Sequence, residues 1–265
     1  MKEVHLSISK LSFKDRSLLF AKLSKISYYN IKEAKKQAKI LGFSEVEFYN
    51  KDGAQAYRFM NDKDLVIACR GTQPTQWNDI SADLKAMPVV AETVSRVHSG
   101  FKAEVDELWP MIMADIMSKQ PKQRLWFCGH SLGAAMATIM ASRCHYNTKI
   151  PNPQELYTYG SPRVGWKGYV VHLGVVHHRW KNNNDIVTTV PYKWMGYKHH
   201  GQEHYINAFG NVRNITGWQR VKDKLRGRWF GLRHGQIDAF SDHSIDHYIT
   251  SLDMFSRGKE FPQHR

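Results

Sequence analysis

The sequence predicts an α/β chain: a mostly parallel central sheet with helices on its faces. Two observations carry that expectation. From residue 65 onward, short apolar runs alternate with helical stretches, the order that parallel strands and crossover helices produce. Within that region, Leu125 to Ser142, LWFCGHSLGAAMATIMAS, reads as an apolar strand, a tight turn and a small-residue helix. The chain has 265 residues, 42% of them hydrophobic, enough to bury a full core as a single domain over 1–265.

The elements follow in order from spacing. Leu18, Leu19, Ala21, Leu23 and Ile26 give residues 13 to 27 an apolar helical face. Ala34, Ala38 and Leu41 do the same for 31 to 41, with Gly42 placed to cap the helix. Strands are expected at 45–49 and 55–60, joined by Lys51-Asp52-Gly53 as a hairpin turn. LVIAC at 65–69 is a continuous apolar run, the pattern of a strand buried on both faces. A helix over roughly 101–118 sets Phe101, Val105, Leu108, Ile112 and Ile116 on one side. Strands at 155–159, 175–180 and 203–207 follow the central stretch, then a basic segment at 216–234 and a last helix at 243–255.

Charge and cysteine usage narrow the setting. The formal net charge is +14, which suits nucleic acid or an anionic lipid surface. No nucleic-acid motif accompanies the charge, so peripheral contact with an anionic lipid surface is the expected partnership, and solubility alone is the plainer account. In Trp218 to Arg233, WQRVKDKLRGRWFGLR, the residues Trp218, Val221, Leu225, Trp229 and Leu232 fall on one side of a helical wheel, a basic amphipathic pattern. No apolar run approaches the ~18 residues of a membrane span, so no transmembrane segment is expected. The opening MKEVHLSISKLSFKD has no apolar core of a signal peptide, which sets up the expectation of a cytoplasmic protein unless export uses another route. Cys69, Cys128 and Cys144 are an odd count, two of them in apolar strand-like runs. A disulfide framework and a cysteine nucleophile are both disfavoured.

The chemistry centres on Gly129-His130-Ser131-Leu132-Gly133, a G-x-S-x-G set between strand and helix. This is the nucleophile elbow of an α/β-hydrolase fold. A serine on a sharp strand-to-helix turn projects its Oγ where a carbonyl reaches it. The crowded turn leaves little room for side chains two residues before and after, which Gly129 and Gly133 satisfy. The helix start then aims N–H groups at a developing oxyanion, with the Leu132 N–H as the expected donor. A second donor is expected after an earlier strand, at Arg70-Gly71-Thr72, where Thr72 offers both N–H and Oγ. The acid and base should follow the serine on loops after strands. Asp185, in Asn182-Asn183-Asn184-Asp185, fits the acid. Among 14 histidines, His243 in Ser241-Asp242-His243-Ser244 is favoured as base over His247, one turn further along. His130 reads as structural, since the residue before the nucleophile points away from it, and His98 is placed to line the pocket. The pairs His177-His178 and His199-His200 are adjacent in sequence, so each splits across a strand or loop and metal ligation is weakly supported; no metal and no cofactor are expected.

Taken together, Arg70-Gly71-Thr72, Ile80-Ser81-Ala82-Asp83-Leu84, Val97-His98-Ser99-Gly100-Phe101, the elbow, Tyr159-Gly160-Ser161-Pro162-Arg163-Val164-Gly165, Asn184-Asp185-Ile186-Val187 and Asp242-His243 resemble the class 3 lipase family of fungal-type triacylglycerol lipases and their bacterial relatives. The resemblance covers about residues 65 to 250 in family order. It implies carboxylic ester hydrolysis, with Ser131 as nucleophile, Asp185 as acid, His243 as base and Thr72 with Leu132 as oxyanion hole. It further implies that Asp83 holds the oxyanion hydroxyl, though the spacing from Thr72 is slightly long, and that Pro74 to about Pro88 forms a lid. Secreted members carry signal peptides and disulfides, and this sequence shows neither. Acylglycerol is the expected substrate; a phospholipase A1 or galactolipase, a feruloyl-type esterase for soluble esters, and a non-catalytic lipid-binding scaffold are the alternatives. The intact serine, aspartate and histidine speak against the scaffold.

Overall fold

The computed structural model describes residues 7–71, 87–119, 123–214, 216, 218–219, 221–223, 225 and 241–262. Thr72, Asp83, the expected lid up to Ala86 and most of the basic segment 216–234 lie outside the described residues.

Helices α1 (Phe13–Ile26) and α2 (Ile31–Ile40) open the described chain. Both begin where a polar side chain satisfies a backbone N–H that has no helical partner. Ser12 accepts from the Asp15 N–H, and Asn30 from the Glu33 N–H. Strands β1 (Glu45–Lys51), β2 (Ala54–Met60) and β3 (Asp64–Cys69) follow. After them come β4 (Pro88–Val90), β5 (Arg96–His98) and helix α3 (Ser99–Lys119). The centre is β6 (Arg124–His130) and α4 (Leu132–Tyr146). Then come β7 (Leu156–Tyr159), β8 (Gly165–Trp166), α5 (Lys167–Val171) and β9 (His177–Asn182). Strands β10 (Tyr197–Lys198), β11 (Gln202–Ile206) and β12 (Val212–Arg213) lead to α6 (Ile245–Ser256).

The main sheet runs β1-β2-β3-β6-β7-β9-β11-β12. Strands β3, β6, β7, β9 and β11 are parallel, and the outer β1, β2 and β12 pair antiparallel. Alternation along the inner strands divides the core in two. Leu65, Ile67, Leu125 and Phe127 pack against α3 and α4. Val66, Ala68, Trp126 and Cys128 pack against α1 and α6. The three cysteines are free and buried, and burial raises each thiol's pKa, Cys128 to about 12. A second, small sheet in the order β10-β8-β5-β4 lies outside the sequence expectation; strands of two or three residues carry no readable period. The strand expected at 175–180 begins at His177 instead. Gly174, at φ +75 with the His145 ring in its Cβ direction, turns the chain just before it, and Val176 is exposed.

Histidines concentrate where β9 meets β11. On one face of β9, His177 Nε2 lies 2.7 Å from Thr158 Oγ1 and its Nδ1 3.1 Å from His200 Nδ1. On the other, His178 Nδ1 lies 3.1 Å from His204 Nε2, among Phe13, Tyr157 and Trp180. His199 Nε2 donates to the Thr188 carbonyl at 2.9 Å. Thus neither adjacent histidine pair gathers on one point, and among the described residues no group of three or more metal-ligating side chains is positioned to hold a metal ion. Burial first, then the cationic Arg179, push His200 down to about 4. Burial first, then His178, do the same for His204, while burial lowers His177 well below 6.5.

These depressed values fix the sign of an acid effect. Above the ordinary histidine value of 6.5, both folded and unfolded chains leave these rings neutral. Below it, only the unfolded chain takes up protons readily, so stability falls from about pH 6.5 toward about pH 4. The thermal midpoint is expected to drop from about pH 7 to about pH 5. Changing His178 and His204 together to Phe should flatten that dependence, whatever it does to the midpoint at neutral pH. An unchanged slope in the double variant would place the acid lability elsewhere.

Candidate active site

The elbow forms because backbones approach more closely than side chains permit. A Cβ on Gly129 would stand 2.3 Å from the Gly133 carbonyl oxygen. One on Gly133 would stand 2.2 Å from the Cys69 carbonyl oxygen, so α4 sits directly on the end of β3. Between them Ser131 takes φ 62 and ψ −131 as the residue before α4, and it is fully buried. A non-glycine residue in that region is strained and persists only where its surroundings hold it. Here the Ser131 N–H donates to the Tyr159 carbonyl at 3.0 Å, and its own carbonyl accepts from Ala134 at 3.0 Å. Leu132 is the first residue of α4, where helical N–H groups have no acceptor within the helix. Gly71 brings the end of β3 close: its Cβ direction meets Tyr28 Oη at 2.5 Å, the His130 carbonyl at 2.6 Å and Ser131 Cβ at 3.2 Å.

Asp185 and His243 meet beside this turn. The loop after β9 carries Asp185, and a short 3-10 turn, Ser241–His243, carries His243 just ahead of α6. His243 Nδ1 lies 3.0 Å from both carboxylate oxygens. The Tyr248 hydroxyl donates to Asp185 Oδ2 at 2.6 Å and accepts from the Asn182 N–H at 3.0 Å. The Val187 N–H donates to Oδ1 at 3.0 Å. Asp185 is wholly buried and His243 nearly so. Burial alone would raise the carboxyl's pKa, but the imidazole and the hydrogen bonds from His243 and Tyr248 outweigh it and hold Asp185 below its ordinary 3.8. The carboxylate in turn fixes the proton on Nδ1 of His243, leaving Nε2 as the basic nitrogen.

His243 is tied to the strand that leads into Ser131. The His130 ring stacks on the His243 ring at 4.5 Å and 30°. Its Nε2 lies 2.7 Å from the His243 carbonyl oxygen and its Nδ1 2.9 Å from Tyr28 Oη. A carbonyl only accepts, so Nε2 carries the proton and Nδ1 accepts from the tyrosine. Burial, then the neighbouring His243, push His130 down to about 3, so the ring stays neutral.

The structure therefore brings Asp185, His243 and His130 together at the elbow of Ser131. His247 is exposed on α6. His98 lies at the end of β5, buried by stacking on Phe101 at 4.1 Å and lowered by burial to about 4. Its hydrogen bonds go to Phe101 and Val164 rather than into the network around His243. Two residues with roles at this site carry no assignment in the sequence reading. Tyr248 shares the buried face of α6 with Ile245 and Leu252, and a tyrosine at that spacing needs a buried partner for its hydroxyl. Gly160, at φ +58, has Asp185 Oδ2 at 2.7 Å and His243 Nδ1 at 2.8 Å in its Cβ direction. A glycine between a strand and Ser161-Pro162 was its only signal.

Comparison with known proteins places this geometry. A model of the family described as "Lipase (class 3)" matches residues 66–195. A lipase of Rhizomucor miehei is 32% identical over 164 residues, 58% of this chain and 44% of that protein. A secreted mono- and diacylglycerol lipase of Fusarium solani is 30% identical over 168 residues, 60% of this chain and 49% of its own length. This chain thus spans less than half the length of either curated relative. The solved structure of the Rhizomucor miehei triacylglyceride lipase superposes with a TM-score of 0.62 at 24% identity, covering 72% of this chain and 79% of that one. That likeness gives the α/β-hydrolase fold. The expectation of a cytoplasmic protein is overturned, because relatives from Fusarium solani and Penicillium cyclopium are secreted lipases. An apolar N-terminal run belongs to one export route and not to the folded domain, so its absence could not decide the compartment.

Gly160→Ala should push Asp185 and His243 apart while leaving the sheet intact. We expect the rate at which a fluorophosphonate modifies Ser131 to fall by about 10² or more, with an unchanged far-ultraviolet spectrum. Tyr248→Phe, which removes one hydrogen bond to a charged acceptor, should cost about tenfold. Wild-type labelling in Gly160→Ala would separate the Asp185–His243 pair from the reactivity of Ser131.

Proposed function

This chain belongs to the class 3 lipase family, and on that premise we propose that it is a serine hydrolase of acylglycerol esters. The observation that carries the reading is the buried carboxylate of Asp185 with both oxygens 3.0 Å from His243 Nδ1, beside the turn that carries Ser131. In the proposed reaction His243 Nε2 takes the proton of Ser131 Oγ as that oxygen attacks the ester carbonyl. The tetrahedral oxyanion is met by the Leu132 N–H at the start of α4 and by the N–H and hydroxyl of Thr72, with Asp83 orienting that hydroxyl. His243 returns the proton to the departing alkoxide, leaving an acyl group on Ser131. Water, deprotonated by the same nitrogen, then releases the fatty acid. Asp185 keeps its negative charge throughout and stabilises the imidazolium. His130 and Tyr248 act as positioning residues, one on the backbone of His243 and the other on the carboxylate. The names of the relatives, a lipase and a mono- and diacylglycerol lipase, support the acylglycerol class. Among the described residues no helix is long and apolar enough to cross a membrane, so the enzyme would meet an aggregated substrate by peripheral contact.

The test is a panel of initial rates on p-nitrophenyl esters of rising chain length, an emulsified acylglycerol and a phospholipid. Acylglycerol turnover should exceed that of the phospholipid, and the reverse ranking would assign a phospholipase. Ser131→Ala should lose about 10⁴ or more in turnover, and His243→Ala far more than His247→Ala. Thr72→Val keeps its N–H and should lose about 10². An active Ser131→Ala would remove the serine mechanism altogether.

A further inference from the structure

A second feature of the loop that bears Asp185 points outward. Past Val187 the chain turns through Val190 and Pro191 into Tyr192-Lys193-Trp194, which heads a 3-10 turn, Lys193–Met195. Trp194 is 82% exposed, the most exposed large apolar side chain among the described residues, and Tyr192 is 53% exposed. Their rings lie nearly parallel, 6.1 Å apart at 11°, with the exposed Lys193 between them in sequence. Tryptophan is normally among the well-buried side chains, so an indole standing in solvent calls for a partner.

This turn is braced rather than slack. At its base the buried Arg163 guanidinium donates to the carbonyls of Thr189 and Pro191, the latter at 2.6 Å, and the Arg163 N–H donates to Val190 at 2.8 Å. At its far side Gly196, at φ 88, closes the turn with the Trp166 indole 3.2 Å away in its Cβ direction, and the Trp166 ring itself carries Arg96 on its face. From Gly196 the chain enters β10, an edge strand of the small sheet, where Lys198 is also exposed. The other edge strand, β4, presents Val90, preceded by Met87, both more than 60% exposed. The acid of the site and this aromatic pair lie on one short segment, Asp185 to Trp194, that leaves the carboxyl end of the parallel strands.

We propose that Tyr192, Lys193 and Trp194 form an anchor for an anionic lipid surface. It rests on the lipase reading above and names the surface such an enzyme would dock on. Two amphipathic rings suit the headgroup depth of a membrane, where an apolar body and a polar N–H or O–H are both accommodated. A lysine between them adds attraction to anionic headgroups, in keeping with the chain's net charge of +14. Because the turn is already held, binding orders little that is mobile. The anchor fixes the enzyme with the Asp185 loop, and hence the ester-cleaving site, close to the lipid.

The test is binding of the full chain to vesicles of phosphatidylglycerol and phosphatidylcholine, measured by co-sedimentation at low salt in a Ser131→Ala background. Tyr192→Ala with Trp194→Ala should weaken binding by about tenfold or more, with a thermal midpoint close to the parent's. Trp194→Phe should restore most of the lost affinity, and Lys193→Glu should weaken binding to anionic but not to pure phosphatidylcholine vesicles. Equal vesicle binding by the double alanine variant overturns the proposal. So does sedimentation showing that the parent is a dimer which the double variant dissociates, since the patch is then a contact between copies. Turnover of a short soluble ester by the unmodified enzyme is measured alongside. Vesicle binding without turnover would sink the lipase reading and leave the anchor standing.

Discussion

A carboxylate removed from water must be solvated by the protein, and Asp185 is removed completely. Three donors, His243 Nδ1, the Tyr248 hydroxyl and the Val187 N–H, replace its water shell. Each comes from a different piece of chain: the turn before α6, the body of α6, and the loop beyond Asp185 itself. The requirement to meet at one carboxylate therefore fixes how α6 lies across the ends of β7 and β9. Asn182 reinforces it, giving its N–H to Tyr248 and its side-chain amide to the Asp242 carbonyl at 2.9 Å. Removing a donor would leave a buried charge short of partners, a larger loss than the net worth of one hydrogen bond.

The same economy of space governs the elbow. Four glycines here stand where backbones or side chains nearly touch: Gly129 on Gly133, Gly133 on β3, Gly71 on Ser131 and Gly160 on Asp185 and His243. With α4 seated on the end of β3, the strained Ser131 is held by its hydrogen bond to Tyr159, and the residue before it puts its imidazole flat against His243. Packing and chemistry are thus not separable here. The neutral His130, with its proton directed at a carbonyl, is at once a core side chain and a brace for His243.

Much of this was legible in the sequence, for identifiable reasons. The strand at Arg124–His130 is buried on both faces, so its apolar run is unbroken, and the elbow's glycines sit at fixed offsets around Ser131. That Asp185 and His243 would meet followed from expecting an acid and a base in loops after strands, and their side chains do lie together. What escaped was long-range. Tyr248 reaches Asp185 across 63 residues, and nothing local in the last helix says which group its hydroxyl will find. The small sheet escaped because its strands are too short for a period. The start of β9 was misplaced because Gly174 turns the chain where composition still looks strand-like. The expected compartment failed for a different reason: it rested on a feature of export, which leaves no mark on the fold.

Two carboxylates, Asp185 and Asp242, lie close enough to repel one another, and their surroundings shift them in opposite directions. Asp242 precedes His243, and its Oδ2 accepts from the Asn184 N–H at 3.1 Å. Burial, and then repulsion from Asp185, raise it to about 6, against the opposing pull of Asn184. Asp185 shares the burial but gains an imidazole and a hydroxyl donor, and falls below its ordinary value. The contrast distinguishes them by physics rather than by position in the chain. The hydrogen bonds decide which carboxylate meets the imidazole: both oxygens of Asp185 lie 3.0 Å from His243 Nδ1, whereas Asp242 Oδ2 is engaged by the Asn184 N–H.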